Sequence, residues 1–154
     1  MVIQIDSREK VHAITRIIEE FDRRGIQHPI SKLYVGDYQS FDNPRVIVDR
    51  KQNLIELAGN VCQQHERFIN EIYRANDTGI KLIFLCEHGK GIRSLEDVKN
   101  WKNPRLRFSP KAITGERLYK ILDTISKRHN VTFEFCDKEE TGLKIIQLLG
   151  GKTT

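Results

Sequence analysis

Asp37, Asp49 and Lys51 are the residues of this chain whose types and spacing suit phosphodiester chemistry. The first stands in Gly36-Asp37-Tyr38, and twelve residues further on comes Val48-Asp49-Arg50-Lys51. Side chains alternate faces along a β-strand, so Asp49 and Lys51 project to the same side, one toward a metal and the other toward a water or a phosphate. Asp37, arriving on a neighbouring strand, supplies a second carboxylate. Two carboxylates and several waters suit Mg²⁺, or Mn²⁺ in its place, because such a hard cation keeps part of its hydration shell and accepts phosphate oxygens. An acid and a lysine two apart are commonplace, and it is the surroundings that give these weight. Gly36 lets the chain bend before Asp37, Asp49 closes an apolar run, and a further acid, Asp6, ends Val2-Ile3-Gln4-Ile5. Charged groups at the ends of buried strands are held rigidly yet stay accessible, which is where α/β sites collect.

The elements that must position these groups follow from periodicity. Residues 2–6 read as a strand and 9–24 as a helix, with Val11, Ile14, Ile17, Ile18 and Phe21 on one face and Gly25 as its stop. Strands over 31–38 and 45–51 form a hairpin around the turn residues Phe41-Asp42-Asn43-Pro44. A helix over 54–76 carries Leu54, Leu57, Val61, Phe68 and Ile72, with Asn53 and Glu56 as its capping box. Lys81 to Cys86 is a continuous apolar run, typical of a strand covered on both faces. Leu118, Ile121, Leu122 and Ile125 mark a helix, 131–135 a strand, and 138–149 a last helix capped by Asp137 and Glu140. The order is α-β-β-β-α-β: an α/β fold with a central mixed sheet flanked by helices.

Asp6-Ser7-Arg8-Glu9, Gly36-Asp37-Tyr38 and Val48-Asp49-Arg50-Lys51 together resemble the nuclease domain of the XPF family, a branch of the PD-(D/E)XK restriction-endonuclease-like superfamily. That family's pattern reads D-x-R-E, then G-D-Y, then E-R-K. The resemblance covers roughly residues 1–90 by motif and the remainder by element order. Two departures stand out: Asp49 replaces the glutamate before R-K, and Ile55 occupies the place of an acid four residues after the lysine, with Glu56 beside it. The resemblance implies a Mg²⁺-dependent endonuclease of DNA repair or recombination, acting on branched or flapped DNA and leaving a 5′-phosphate and a 3′-hydroxyl. If the fold holds, Asp37 and Asp49, with the Arg50 carbonyl, bind Mg²⁺ or Mn²⁺. Lys51 orients the attacking water or stabilises the charge developing on phosphorus. Asp6 either supports this group or serves a second ion. Two other classes remain open at this point: a catalytically silent DNA-binding scaffold of the same fold, and a protein-interaction module that dimerises.

At 154 residues, with 38% apolar and 31% charged, the chain suits one domain over 1–150 and a tail over 151–154. A domain of this size buries about two-thirds of its unfolded surface. The length leaves no room for the family's helix-hairpin-helix module or a helicase segment, so the expectation is a free-standing nuclease domain that relies on a basic loop, dimerisation or a targeting partner. No apolar run approaches the length of a membrane span and no signal peptide is evident, so the expected location is the cytoplasm. Cys62, Cys86 and Cys136 fit neither a disulfide framework nor a zinc site and read as reduced core residues.

Net charge is +5, and its distribution says more than its size. Between Lys99 and Lys111 lie five basic residues (Lys99, Lys102, Arg105, Arg107 and Lys111) and no acid. Trp101 and Phe108 are set among them. Basic groups neutralise phosphates and exposed aromatics stack on unpaired bases, which makes this segment, Trp101 included, a DNA-binding candidate. The opposing reading is that Trp101 and Phe108 anchor a long loop while the lysines solvate it. Gln64 and Arg67, on the polar stripe of the 54–76 helix, either hold a phosphate or, for Arg67, pair with Glu71. Arg50, pointing away from Lys51, secures either the sheet or the DNA.

Overall fold

In the computed structural model, which describes residues 1–153, six strands form one mixed sheet. The strands are β1 (Ile3–Asp6), β2 (Ile30–Ser31), β3 (Tyr38–Ser40), β4 (Asn43–Lys51), β5 (Lys81–Cys86) and β6 (Thr132–Phe135). Their spatial order is β2-β1-β3-β4-β5-β6. β3 lies antiparallel to both β1 and β4, whereas β4, β5 and β6 run parallel. Five α-helices cover the sheet: α1 (Thr15–Arg23), α2 (Leu54–Cys62), α3 (His65–Asp77), α4 (Gly115–His129) and α5 (Thr141–Leu148). This is the restriction-endonuclease-like α/β architecture expected from the order of elements.

Strand alternation sorts the core into two layers. Ile47 and Phe84 face one way, into a cluster with Leu57, Phe68, Ile72 and Leu122 of α2, α3 and α4. Val48, Ile83 and Leu85 face the other, against Ile17 and Phe21 of α1 and Ile145 of α5. On the first face Phe68, Phe84 and Phe133 stack in a row, with ring centroids 4.7 and 5.3 Å apart. Because the period is two, Asp49 and Lys51 follow Ile47 onto the α2–α3 face, and Arg50 follows Val48 onto the α1–α5 face.

Several expected elements are shorter or broken. Residues 33–37 bend instead of forming a strand, and β3 starts only at Tyr38. Two features hold it there: the Leu33 N–H donates across to the Asp6 carboxylate at 2.8 Å, and Gly36 turns the chain at φ 68°. A Cβ on Gly36 would lie 2.3 Å from Cγ2 of Ile47, so glycine also permits the close approach to β4. The first helix is preceded by a separate turn over Val11–Ala13, which leaves Val11 exposed while Ile14, Ile17 and Phe21 are buried. The long helix is two helices. The N–H groups of Gln63 and Gln64 share the Gly59 carbonyl, each at 3.0 Å, and Gln64 leaves helical geometry, so α3 sets off in a new direction. The caps at Asn53 and at Asp137/Glu140 are present. Of the cysteines, Cys86 and Cys136 are core residues as expected, but Cys62 is exposed.

Candidate active site

Asp37 belongs to neither strand, yet its backbone is tied to both neighbours. Its N–H donates to the Val48 carbonyl at 2.9 Å, and its carbonyl accepts from the Asp6 N–H at 2.8 Å. Its side chain accepts from the Arg50 N–H at 2.7 Å, which aims the carboxylate along the end of β4. Asp49 is 5% exposed, and its Oδ1 lies 3.3 Å from Nζ of Lys51. That ammonium also sits over the Phe68 and Phe84 rings, 5.9 and 5.8 Å from their centroids, where the ring quadrupoles favour a cation. The three residues singled out by spacing are therefore brought together.

A fourth member was read differently in the sequence. Glu71 on α3 does not pair with Arg67; it turns inward and shares a hydrogen bond with Asp49. Burial, that bond and the Asp49 charge hold the Glu71 carboxyl well above the usual carboxylate range. Burial, then Asp49, then Glu9 raise the Asp37 carboxyl likewise. Burial opposes the Lys51 ammonium, but Asp49, Glu71, Glu56 and Asp37 outweigh it and leave its pKa above the ordinary value. A helical signal for Glu71 was available: it lies three residues after Phe68 and one before Ile72, on the edge of the inward stripe.

Asp6 is buried and its acceptor capacity is spent nearby. Its carboxylate takes Nε of Arg8 at 2.7 Å, a second guanidinium nitrogen at 3.2 Å, and the N–H groups of Arg8 and Leu33. Arg8 in turn lies close enough to Asp37 and Glu71 to feel both charges. Asp6 thus holds a cation beside the acid group instead of joining it.

Arg50 secures the sheet, not DNA. Its side chain is 5% exposed, with Nε 2.8 Å from Glu9 and a terminal nitrogen 2.5 Å from Glu87. Tyr38 donates to the same Glu9 at 2.7 Å, and Thr141 of α5 donates to Glu87 at 2.7 Å. This network, carried by Glu9 and Glu87, was not foreseen from the sequence. It pins β4 to the α1–α5 side and leaves no guanidinium face for a phosphate.

The basic segment divides in two. Trp101 is 8% exposed and packs edge-on to His88 in the α4-side core, so its ring cannot stack on a base. The exposed ring is Phe108, at 89%. Lys99 is engaged by Glu96 at 2.8 Å and lies over Tyr119. Lys102, Arg105, Arg107 and Lys111 are exposed. Among the described residues no carboxylate lies within 4.0 Å of these four cations or of Arg67. Gln64 is exposed and accepts from Asn60 at 3.0 Å.

A mixed sheet with helices on both faces, carrying two aspartates and a lysine at one end of its central strands, defines a restriction-endonuclease-like protein. The chain belongs to the ERCC4 domain family, which it matches over residues 5–149. Among solved structures it is similar to XPF from Aeropyrum pernix, with a TM-score of 0.66 and 19% identity over 97% of this chain. A second structure of that protein, in complex with DNA, matches with the same TM-score at 17% identity over 96% of this chain. The chain spans less than two-thirds of those two chains, 63% and 62%. Comparison with curated protein sequences gives no match.

Proposed function

We propose that this chain is a divalent-metal-dependent DNA endonuclease whose centre is Asp37, Asp49 and Lys51. The observation that carries this reading is the crowding of carboxyl groups at Asp49: that residue is buried, half-buried Asp37 and Glu71 each act on it, and Nζ of Lys51 lies 3.3 Å from its Oδ1. Such an all-oxygen, charge-rich donor set fits a hard cation. Among the described residues no three His, Cys, Asp or Glu side chains form a group that could hold a metal, so Asp37 and Asp49 are the two side-chain ligands proposed. When bound, Mg²⁺ or Mn²⁺ would polarise the scissile phosphate and acidify a coordinated water.

The chain's own residues do the rest. Asp37 and Asp49 would hold the ion, together with the Arg50 carbonyl. Lys51 donates a hydrogen bond to the attacking water or to the oxygen gaining charge at phosphorus. Asp6 serves by holding Arg8 at the edge of the acid group. Water adds to phosphorus as the P–O3′ bond breaks, leaving a 5′-phosphate and a 3′-hydroxyl. Branched or flapped DNA is the proposed substrate class.

The test is cleavage of labelled flap, fork, four-way and linear DNA in Mg²⁺ or Mn²⁺ by wild type, Asp37→Ala and Lys51→Ala. Cutting lost in both variants with DNA binding retained supports the reading. The presence of Ile55 where the family carries an acid favours one rival, a silent DNA-binding domain. Wild-type protein that binds every substrate and cuts none under either metal would establish that rival instead.

A further inference from the structure

Glu56, in the first turn of the helix that follows Lys51, lines a groove of about 1180 Å³ walled by α2, the 103–114 segment and the start of α4. Its floor is apolar, with Ile55, Val61, Ile113 and Ile121. Arg105, Lys111 and Arg117 also line it, all exposed, against one acid, Glu56. Among the described residues Arg117, like the other two, has no carboxylate within 4.0 Å. Oδ1 of Asn60, on the same wall, is buried without a hydrogen-bond partner. Phe108, 89% exposed, projects from the segment that forms the outer wall.

We propose that this groove holds an unpaired DNA strand leading to or from the hydrolytic centre, with phosphates on Arg105, Lys111 and Arg117 and a base stacked on Phe108. The inference rests on the nuclease reading and deepens it. A duplex presents phosphates and sugars outward and keeps its base faces inside, so an apolar floor and an exposed ring would have nothing to meet. A splayed strand offers both chemistries, alternating charged phosphates with flat apolar bases. The groove would then select DNA with single-stranded character without reading sequence.

Binding is tested without metal, so the result does not depend on cleavage. Labelled oligo(dT) and a duplex of equal length are titrated in EDTA at several salt concentrations and followed by fluorescence anisotropy. The single strand should bind more tightly than the duplex. Neutralising the three cations (Arg105→Gln, Lys111→Gln, Arg117→Gln) should lower the slope of log K against log salt by about 2, at roughly 0.7 for each phosphate that no longer meets a cation. Phe108→Ala should weaken binding about tenfold and leave the slope unchanged. A native probe guards against misfolded variants: Cys62 lines the groove and is exposed, whereas Cys86 and Cys136 are buried. Oligo(dT) should slow the reaction of Cys62 with a thiol reagent in the wild-type protein. Equal affinity for duplex and single strand, an unchanged salt slope, or unprotected Cys62 in DNA-saturated protein would each overturn the proposal. Cleavage persisting beside such a result would leave the nuclease reading standing, and strand binding without cleavage would do the reverse.

Discussion

Replacing Arg50 with methionine tests the strongest structural assignment, that this residue serves the sheet. Its guanidinium lies 2.8 and 3.4 Å from the Glu9 oxygens and 2.5 Å from Glu87, and the two carboxylate side chains are only 10% and 8% exposed. Removing one partner of a buried ion pair strands the other, at a cost of about 3–5 kcal/mol. Here two carboxylates are stranded, although Tyr38 and Thr141 still donate to one each, so roughly 4 kcal/mol is expected. With a urea m-value of roughly 2 kcal/mol/M, the unfolding midpoint should fall by about 2 M. The triple variant Arg50→Met, Glu9→Gln, Glu87→Gln removes the stranded charges and should recover most of the loss. DNA affinity should not change in either variant, because no guanidinium face reaches solvent. A midpoint shift below about 0.5 M, or weaker DNA binding by a folded Arg50→Met protein, would refute the assignment.

Other outcomes follow from the same packing. Trp101→Ala should cost about 3–5 kcal/mol in denaturant unfolding while leaving single-strand affinity intact, since the ring is core and not platform; weakened binding by the folded variant would contradict this. Gly36→Ala should destabilise by more than about 1 kcal/mol, because it combines φ 68° with a 2.3 Å clash against Ile47; a thermal melt at the wild-type midpoint would count against it. The Asp37 and Glu71 carboxyls are raised in the folded, metal-free chain, so their contribution to stability is greatest in acid and is lost as pH rises above the ordinary carboxylate value near 4. Mg²⁺ should offset that loss, and stabilise more at pH 8 than at pH 6; melts showing an equal effect at both would disprove the linkage. Glu71→Gln should flatten the metal-free pH dependence and weaken Mn²⁺ binding measured by calorimetry, and unchanged affinity would exclude Glu71 from the cation site.

The sequence by itself determined which side chains share a face and most of the elements that carry them. Asp49 and Lys51 had to share a face because a strand repeats every two residues, and their partner Asp37 was marked by the glycine needed for the bend before it. The same period settled that Arg50 faces away, but not what it would meet there. Glu9, Glu87, Tyr38 and Thr141 come from four places in the chain, and only the packing of β3, β5, α5 and the turn after β1 around β4 brings them to one guanidinium. Trp101 and Phe108 look alike in a basic, loop-like segment. Which one is buried depends on where α4 docks, a long-range decision that local composition does not carry. Glu71 shows the limit most clearly. Spacing offered it one neighbour, Arg67 on its own helix; the break at Gln63–Gln64 re-aims α3 and turns Glu71 toward Asp49, forgoing an exposed ion pair worth a few tenths of a kcal/mol. Periodicity fixes faces because it is a property of one element; pairings between elements are decided by tertiary packing, where burial and charge compete across the whole fold.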